Sequence, residues 1–209
     1  MALNDIDRKL ARHLRGRQGV FIEAGANDGV LQSNTYYFEK LRGWTGLLVE
    51  PATALAARCR KNRPKAIVVQ AALVASEQPG ATIELHVAGL MSTVTGAMGS
   101  AAATAKHVAT GLAVQGLSET SRELVPARTL SAIIDEVGLR LPIDLLSLDV
   151  EGAEPVALAG LDLDRHAPRF LCVEARDPTA IAARLEPRYR IIEVLYDGGV
   201  YQDVLYALR

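Results

Sequence analysis

The sequence predicts a doubly wound α/β sheet, mostly parallel, ending in an antiparallel hairpin, with helices on both faces. Three observations carry that prediction. Residues 19–74 alternate short apolar runs with helical stretches in the order β-α-β-α-β, which crossover connections close into a parallel sheet. The runs VFI, TGLLV and KAIVVQAALV are apolar almost throughout, as strands covered on both faces are. At the other end, residues 189–196 and 200–208 are joined by Asp197-Gly198-Gly199, a turn short enough to require antiparallel strands. With 209 residues, 49% hydrophobic and 22% charged, a single domain over residues 1–209 can bury a core of its own.

In chain order, Leu3, Ile6, Leu10 and Leu14 fall at helical spacing and predict a helix packed on the sheet, stopped by Gly16 and Gly19. Strand 1 covers residues 19–24. It runs into Gly25-Ala26-Asn27-Asp28-Gly29 and a helix start at Ser33 or Asn34. The helix 34–42 has a heavy core face in Tyr36, Tyr37, Phe38 and Leu41, with Trp44 just beyond. Strand 2, residues 45–50, precedes Pro51, expected just inside a helix over 52–62, where its missing N–H costs little. Strand 3 is read as continuous over 65–74, and 82–88 as a strand or hairpin arm beside the sheet.

Residues 89–120 are built from small residues with no aromatic. A short helix over 100–110, ending at Gly111, is expected there, with little to anchor it. The segment reads as a lid or binding loop, or else as a surface insertion. A strand at 123–127 follows. Thr129 then caps a helix that carries Leu130, Ile133, Ile134 and Val137 on one face and stops at Gly138. Strand 4 (143–150), a helix to Gly160, strand 5 (169–174) and a helix from Pro178 to Leu185 lead to the hairpin.

The totals exclude some partners. A net charge of -1 offers nothing to a polyanion or an anionic membrane, and 5% aromatics argues against a base-stacking surface. No run reaches the roughly 18 apolar residues of a membrane span. The N-terminal stretch lacks the apolar core of a signal peptide, so a cytoplasmic protein is expected. Cys59 and Cys172 lie far apart among apolar or helical neighbours, which suits buried, reduced thiols. No nucleic-acid or membrane partner is expected; a homodimer is compatible with the chain.

The chemistry is expected at the strand ends. Gly25 and Gly29 bracket a turn where side chains would hold a ligand off the backbone N–H groups. The spacing is G-x-x-x-G, without the G-x-G-x-x-G of dinucleotide binders or the Lys-Ser/Thr of a phosphate loop. Glu23 and Asp28 would repel a pyrophosphate. The turn suits a ligand with hydroxyls and positive charge, such as S-adenosylmethionine. Glu50 ends strand 2, where a carboxylate accepts two ribose hydroxyls; the competing reading is a charge at the next helix's N-terminus. Gln70 and Ala71 are placed against the adenine edge. Asp149 and Glu151 end strand 4 and Glu174 ends strand 5, a set able to hold Mg²⁺ between Asp149 and Glu174. His86 is the rival general base.

The motifs FIEAGANDG, SNTYYFEK, GWTGLLVEP, VPARTLSAIID and IDLLSLDVEGAE together resemble the FkbM family of S-adenosylmethionine-dependent methyltransferases, over about residues 20–208. The resemblance implies a class I methyltransferase fold, with S-adenosylmethionine as donor. It implies O-methylation of a hydroxyl on a sugar-containing or natural-product acceptor. It places Glu23, Gly25, Asn27, Asp28 and Gly29 along the methionine end and Glu50 on the ribose; Asn34, Pro51 and Asp149 are further donor-binding candidates. Asp149, Glu151 and His86 are the catalytic candidates. The alternatives are a non-catalytic S-adenosylmethionine-binding module and a nicotinamide-dependent oxidoreductase, the latter disfavoured by the glycine spacing and the hairpin.

Overall fold

A computed structural model describes residues 2–16 and 18–209. A short 3-10 turn, Leu3–Asp5, leads into helix α1 (Ile6–His13), then β1 (Val20–Ala24), α2 (Tyr36–Arg42), β2 (Thr45–Val49), α3 (Thr53–Asn62) and β3 (Ile67–Val69). There follow β4 (Ala72–Leu73), β5 (Thr82–Val87), a second 3-10 turn at Gly89–Met91, β6 (Thr93–Val94), α4 (Ala101–Gln115) and β7 (Ser121–Arg128). The last part holds α5 (Leu130–Val137), β8 (Leu145–Leu148), α6 (Glu154–Ala159), β9 (Phe170–Ala175), α7 (Pro178–Leu185), β10 (Tyr189–Asp197) and β11 (Gln202–Leu208).

The main sheet has seven strands in the order β10-β11-β9-β8-β1-β2-β3. Every pairing from β9 through β3 is parallel, and β11 is antiparallel to both its neighbours. The chain order reverses between β1 and β8, which opens a crevice beyond their carboxyl ends. Side chains alternate between the two faces of each strand. Phe21 and Leu145 point to a cluster with Ile6, Leu10, Phe38, Trp44 and Cys59, so α1, α2 and α3 cover that face. Ile22, Leu146 and Leu148 point to the other, against Ile133 and Ile134 of α5, Leu158 of α6 and Ile181 of α7. Leu41 faces solvent instead of the core. Both cysteines are free and buried.

The expected third strand is broken in two. β3 stays with β2, whereas β4 pairs with β7 in a second sheet of order β4-β7-β5-β6. An apolar run specifies burial, but nothing in it chooses the neighbour, and beyond Val69 the neighbour changes. Residues 82–88 accordingly belong to this second sheet and not to the edge of the first. Pro51 precedes α3, whose N-cap is Ala52. The insertion is more ordered than its composition suggests. Ser100 caps α4 through the Ala103 N–H, the helix passes through Gly111, and Gly116 ends it in the left-handed region. Gly111 is where α4 meets the turn at Met91: a Cβ there would lie 2.7 Å from Met91 Cβ. The Gln115 side chain accepts from Leu90 N–H (2.8 Å) and donates to Ala88 C=O (2.9 Å), tying the helix end to that turn. Among the described residues no helix is long and apolar enough to cross a membrane.

Candidate active site

A cavity of about 410 Å³ lies over the carboxyl ends of β1, β2 and β8, bordered by the Gly89–Met91 turn and the end of α4. β1 and β8 approach so closely there that a Cβ on Gly25 would lie 1.6 Å from the Asp149 carbonyl oxygen, and Gly25 has φ +82°. No other residue type fits that position. The turn then tightens around two carboxylates. Glu50, buried at the end of β2, accepts from Asn27 N–H (2.8 Å) and Ala52 N–H (2.9 Å). Burial pushes its carboxyl up to about 7, against the lowering effect of those hydrogen bonds. Each oxygen accepts one of these bonds and keeps capacity for another, and Glu50 lines the cavity.

Glu23 works for the loop. It accepts from Asn34 N–H (2.6 Å), Ser33 Oγ (2.7 Å) and Thr35 Oγ1 (2.7 Å). Behind it lies Arg63, fully buried at the C-terminal end of α3, bonded to Glu39 (2.6 Å), Gly29 C=O (2.8 Å) and Thr35 Oγ1 (3.1 Å). This guanidinium closes the loop 27–35 onto α3. Asn34 also reaches Ser147 Oγ through its amide at 3.0 Å, linking the loop to β8.

The wall opposite is acidic. Asp149 Oδ1 is buried without a hydrogen-bond partner, and burial together with Glu174 and Glu151 holds its carboxyl well above the usual range. Glu174, at the end of β9, is pushed up to about 8 by burial and by Glu151. Asp203, directly across from it on β11, is raised to about 6 by burial. Arg176 donates to Glu151 (2.7 Å) and Glu174 (3.3 Å). Glu151 has a left-handed backbone, φ 53°, and His107 of α4 places Nε2 3.2 Å from its carboxylate, outside hydrogen-bond geometry. Glu154 caps its own helix turn through Val150 N–H and Gly152 N–H.

The model of the methyltransferase FkbM domain matches residues 23–190, well over half of the chain. The chain belongs to the FkbM methyltransferase family. Two solved structures share its fold. A methyltransferase FkbM from Methylobacillus flagellatus KT superposes with TM-score 0.53 at 15% identity, over 92% of this chain and 44% of that one. The human methyltransferase 10 domain containing protein superposes with TM-score 0.51 at 10% identity, over 97% and 81%. Comparison with curated proteins found no match. The fold is that of the class I, S-adenosylmethionine-dependent methyltransferases.

For an FkbM-family cavity the residues present fit the donor. Glu50 offers free lone pairs at the end of β2, Gly25 keeps the turn flat against β8, and the far wall is anionic where a sulfonium and an ammonium would add positive charge. Glu23, Gly25, Asn27, Asn34, Glu50, Pro51, Ala71, Asp149, Glu151 and Glu174 all line the cavity. Asp28, Gly29 and Gln70 do not. Asp28 accepts from Val30 N–H and Leu31 N–H and pairs with Arg58, so its charge is spent on the turn. Gly29 packs on Arg63 and Cys59, and Gln70 bonds Pro51 C=O and Thr53 Oγ1.

His86 is displaced from the role expected of it. It sits on β5 of the second sheet, bonded to Thr95 Oγ1 at 3.1 Å, and does not line the cavity. The Mg²⁺ expectation also finds no support. Among the described residues no group of three or more His, Cys, Asp or Glu is arranged to hold a metal, and Glu174 already faces the Arg176 guanidinium. Sequence reasoning missed Arg176, Asp203, Tyr201 and His107. Arg176 could have been found two positions beyond Glu174. Tyr201 and Asp203 follow a glycine turn whose direction only the sheet reveals, and nothing local marks His107.

Proposed function

We propose that the protein is an O-methyltransferase acting on a hydroxyl of a sugar-containing or natural-product acceptor. The observation that carries this is the unpartnered, buried Asp149 Oδ1 in the cavity wall, beside Glu174 and across the strand end from Gly25. A neutral hydroxyl needs its proton removed as the new bond forms, and burial beside Glu174 and Glu151 makes the ionised Asp149 carboxylate a stronger base than an exposed one. S-adenosylmethionine, when bound, supplies a methyl group on a sulfonium whose sulfur leaves as a neutral thioether. Asp149 takes the hydroxyl proton as the O–C bond forms. Glu50 would hold the ribose diol, Asn27 and Asn34 would border the methionine end, and the end of α4 narrows the solvent's access to the cavity. No metal enters this reading.

The test is acceptor-dependent release of S-adenosylhomocysteine from a panel of hydroxyl and amine compounds. Product analysis should find an O-methyl group. Asp149→Asn should bind S-adenosylmethionine like the wild type and lose turnover by about 10²-fold or more, the range of a general base. Turnover that survives Asp149→Asn, or products methylated only on nitrogen, would overturn the proposal.

A further inference from the structure

Four large aliphatic side chains from four separate elements stand at the mouth of the cavity with nothing over them. Leu3 of the first 3-10 turn is 47% exposed, Leu31 of the loop after β1 53%, Val114 of α4 76% and Val200 of the hairpin turn 73%, and all four line the cavity. They are continuous with the reacting wall. Val200 precedes Tyr201, whose hydroxyl lies within the field of Glu174, Asp203 and Asp149. Val114 precedes Gln115, which anchors the turn carrying Leu90 and Met91 over the same space. The mouth is therefore one apolar ring above a polar floor.

The charges narrow the occupant further. Among the described residues lining the cavity Arg176 is the single cation, and it is already bonded to Glu151 and Glu174. A phosphate or sugar nucleotide would meet carboxylates with no guanidinium or ammonium free to pair it. A bare sugar would satisfy the floor but leave the four aliphatic chains in water.

Resting on the O-methyltransferase reading, we infer that the acceptor is an uncharged hydroxyl compound bearing an aliphatic arm, with the hydroxyl at the acidic floor and the arm across the ring of Leu3, Leu31, Val114 and Val200. Phosphorylated and nucleotide-linked sugars are excluded as acceptors. Each methylene of the arm that the ring buries strengthens binding by up to about fourfold.

The experiment measures binding of methyl, butyl, hexyl and octyl β-glucosides, below their micelle concentrations, by calorimetry with S-adenosylhomocysteine present. Wild-type affinity should rise steeply with chain length, while glucose 6-phosphate and UDP-glucose should not bind. Val114→Asp/Val200→Asp should flatten the chain-length series and leave the thermal midpoint unchanged, because both side chains are already exposed. Val114→Met should keep the slope. A series that is flat in wild type overturns the inference, even if methyl glucoside is methylated and the O-methyl reading stands. A steep series without any O-methyl product upholds the arm and counts against the O-methyl reading. If the double variant changes only sedimentation, from dimer to monomer, with the slope intact, the ring is a subunit face and the inference fails.

Discussion

Glu50→Gln should change how stability depends on pH. Burial raises the Glu50 carboxyl from 4.5 to about 7 in the folded state. Below 4.5 both folded and unfolded chains hold the proton, and the residue makes no difference between them. Between 4.5 and about 7 the folded state keeps a proton that the unfolded state has released, so stability falls as pH rises. Above that window the loss is complete. Each pH unit corresponds to about 1.4 kcal/mol, so the window holds about 3 kcal/mol, an order-of-magnitude figure. A glutamine cannot ionise. It leaves either Asn27 N–H or Ala52 N–H facing an NH₂ group, at a cost of about 1–3 kcal/mol that is similar at every pH. The difference between variant and wild type should therefore climb by about 3 kcal/mol from pH 4.5 to pH 8, whatever its starting value. Urea unfolding of both proteins across that range measures it, and taking the difference cancels Asp149, Glu174 and Asp203, whose raised carboxyls act in the same direction. Parallel stability profiles would refute the reasoning and mean that water reaches Glu50 in the folded state.

Three further outcomes are expected. Glu50→Ala should weaken S-adenosylmethionine by about 2–3 kcal/mol, the worth of two charge-assisted hydrogen bonds, with circular dichroism unchanged; wild-type affinity by calorimetry would reduce Glu50 to a loop clamp. Arg63→Met should leave Glu23 buried without a cation and Glu39 with Lys40 alone, and lower stability by about 3–5 kcal/mol in urea, with donor affinity falling as residues 27–35 loosen; a stable variant with normal donor binding would contradict this. His107→Ala should speed proteolytic cleavage within 89–120 and raise the acceptor KM more than it lowers kcat, and His107→Gln should restore both, since an amide there can reach the Glu151 carboxylate that His107 approaches to 3.2 Å; equal cleavage in all three proteins would show that Thr93 and Met98 alone seat the segment on the Glu151–Gly152 turn.

Much of the glycine turn and of the strand ends beside it was legible in the sequence, because the determinants are local. A strand, a left-handed glycine and an acid at the next strand's end lie within one supersecondary unit, and Gly25 and Glu50 stand where that pattern requires. The same locality misled at Asp28, whose neighbours in sequence are the N–H groups it accepts from, and at His86, whose strand has the alternation of a sheet arm but joins a different sheet. Thr129 and Gly138 marked α5 correctly since a cap is chemistry between residues three or four apart.

By itself, then, the sequence determined what depends on neighbours along the chain: the periods of the strands and helices, the caps, the antiparallel closure and the motifs of the methyltransferase family. The tertiary structure alone decided what depends on which surfaces meet. It split residues 65–74 between two sheets, since an apolar run buries equally well against either. It stood α4 over the cavity, since Gln115 and Gly111 anchor only once Leu90 and Met91 are beside them. It also joined Asp149, Glu174 and Asp203 into one wall, since acids on three strands share a field only when those strands lie side by side, away from water.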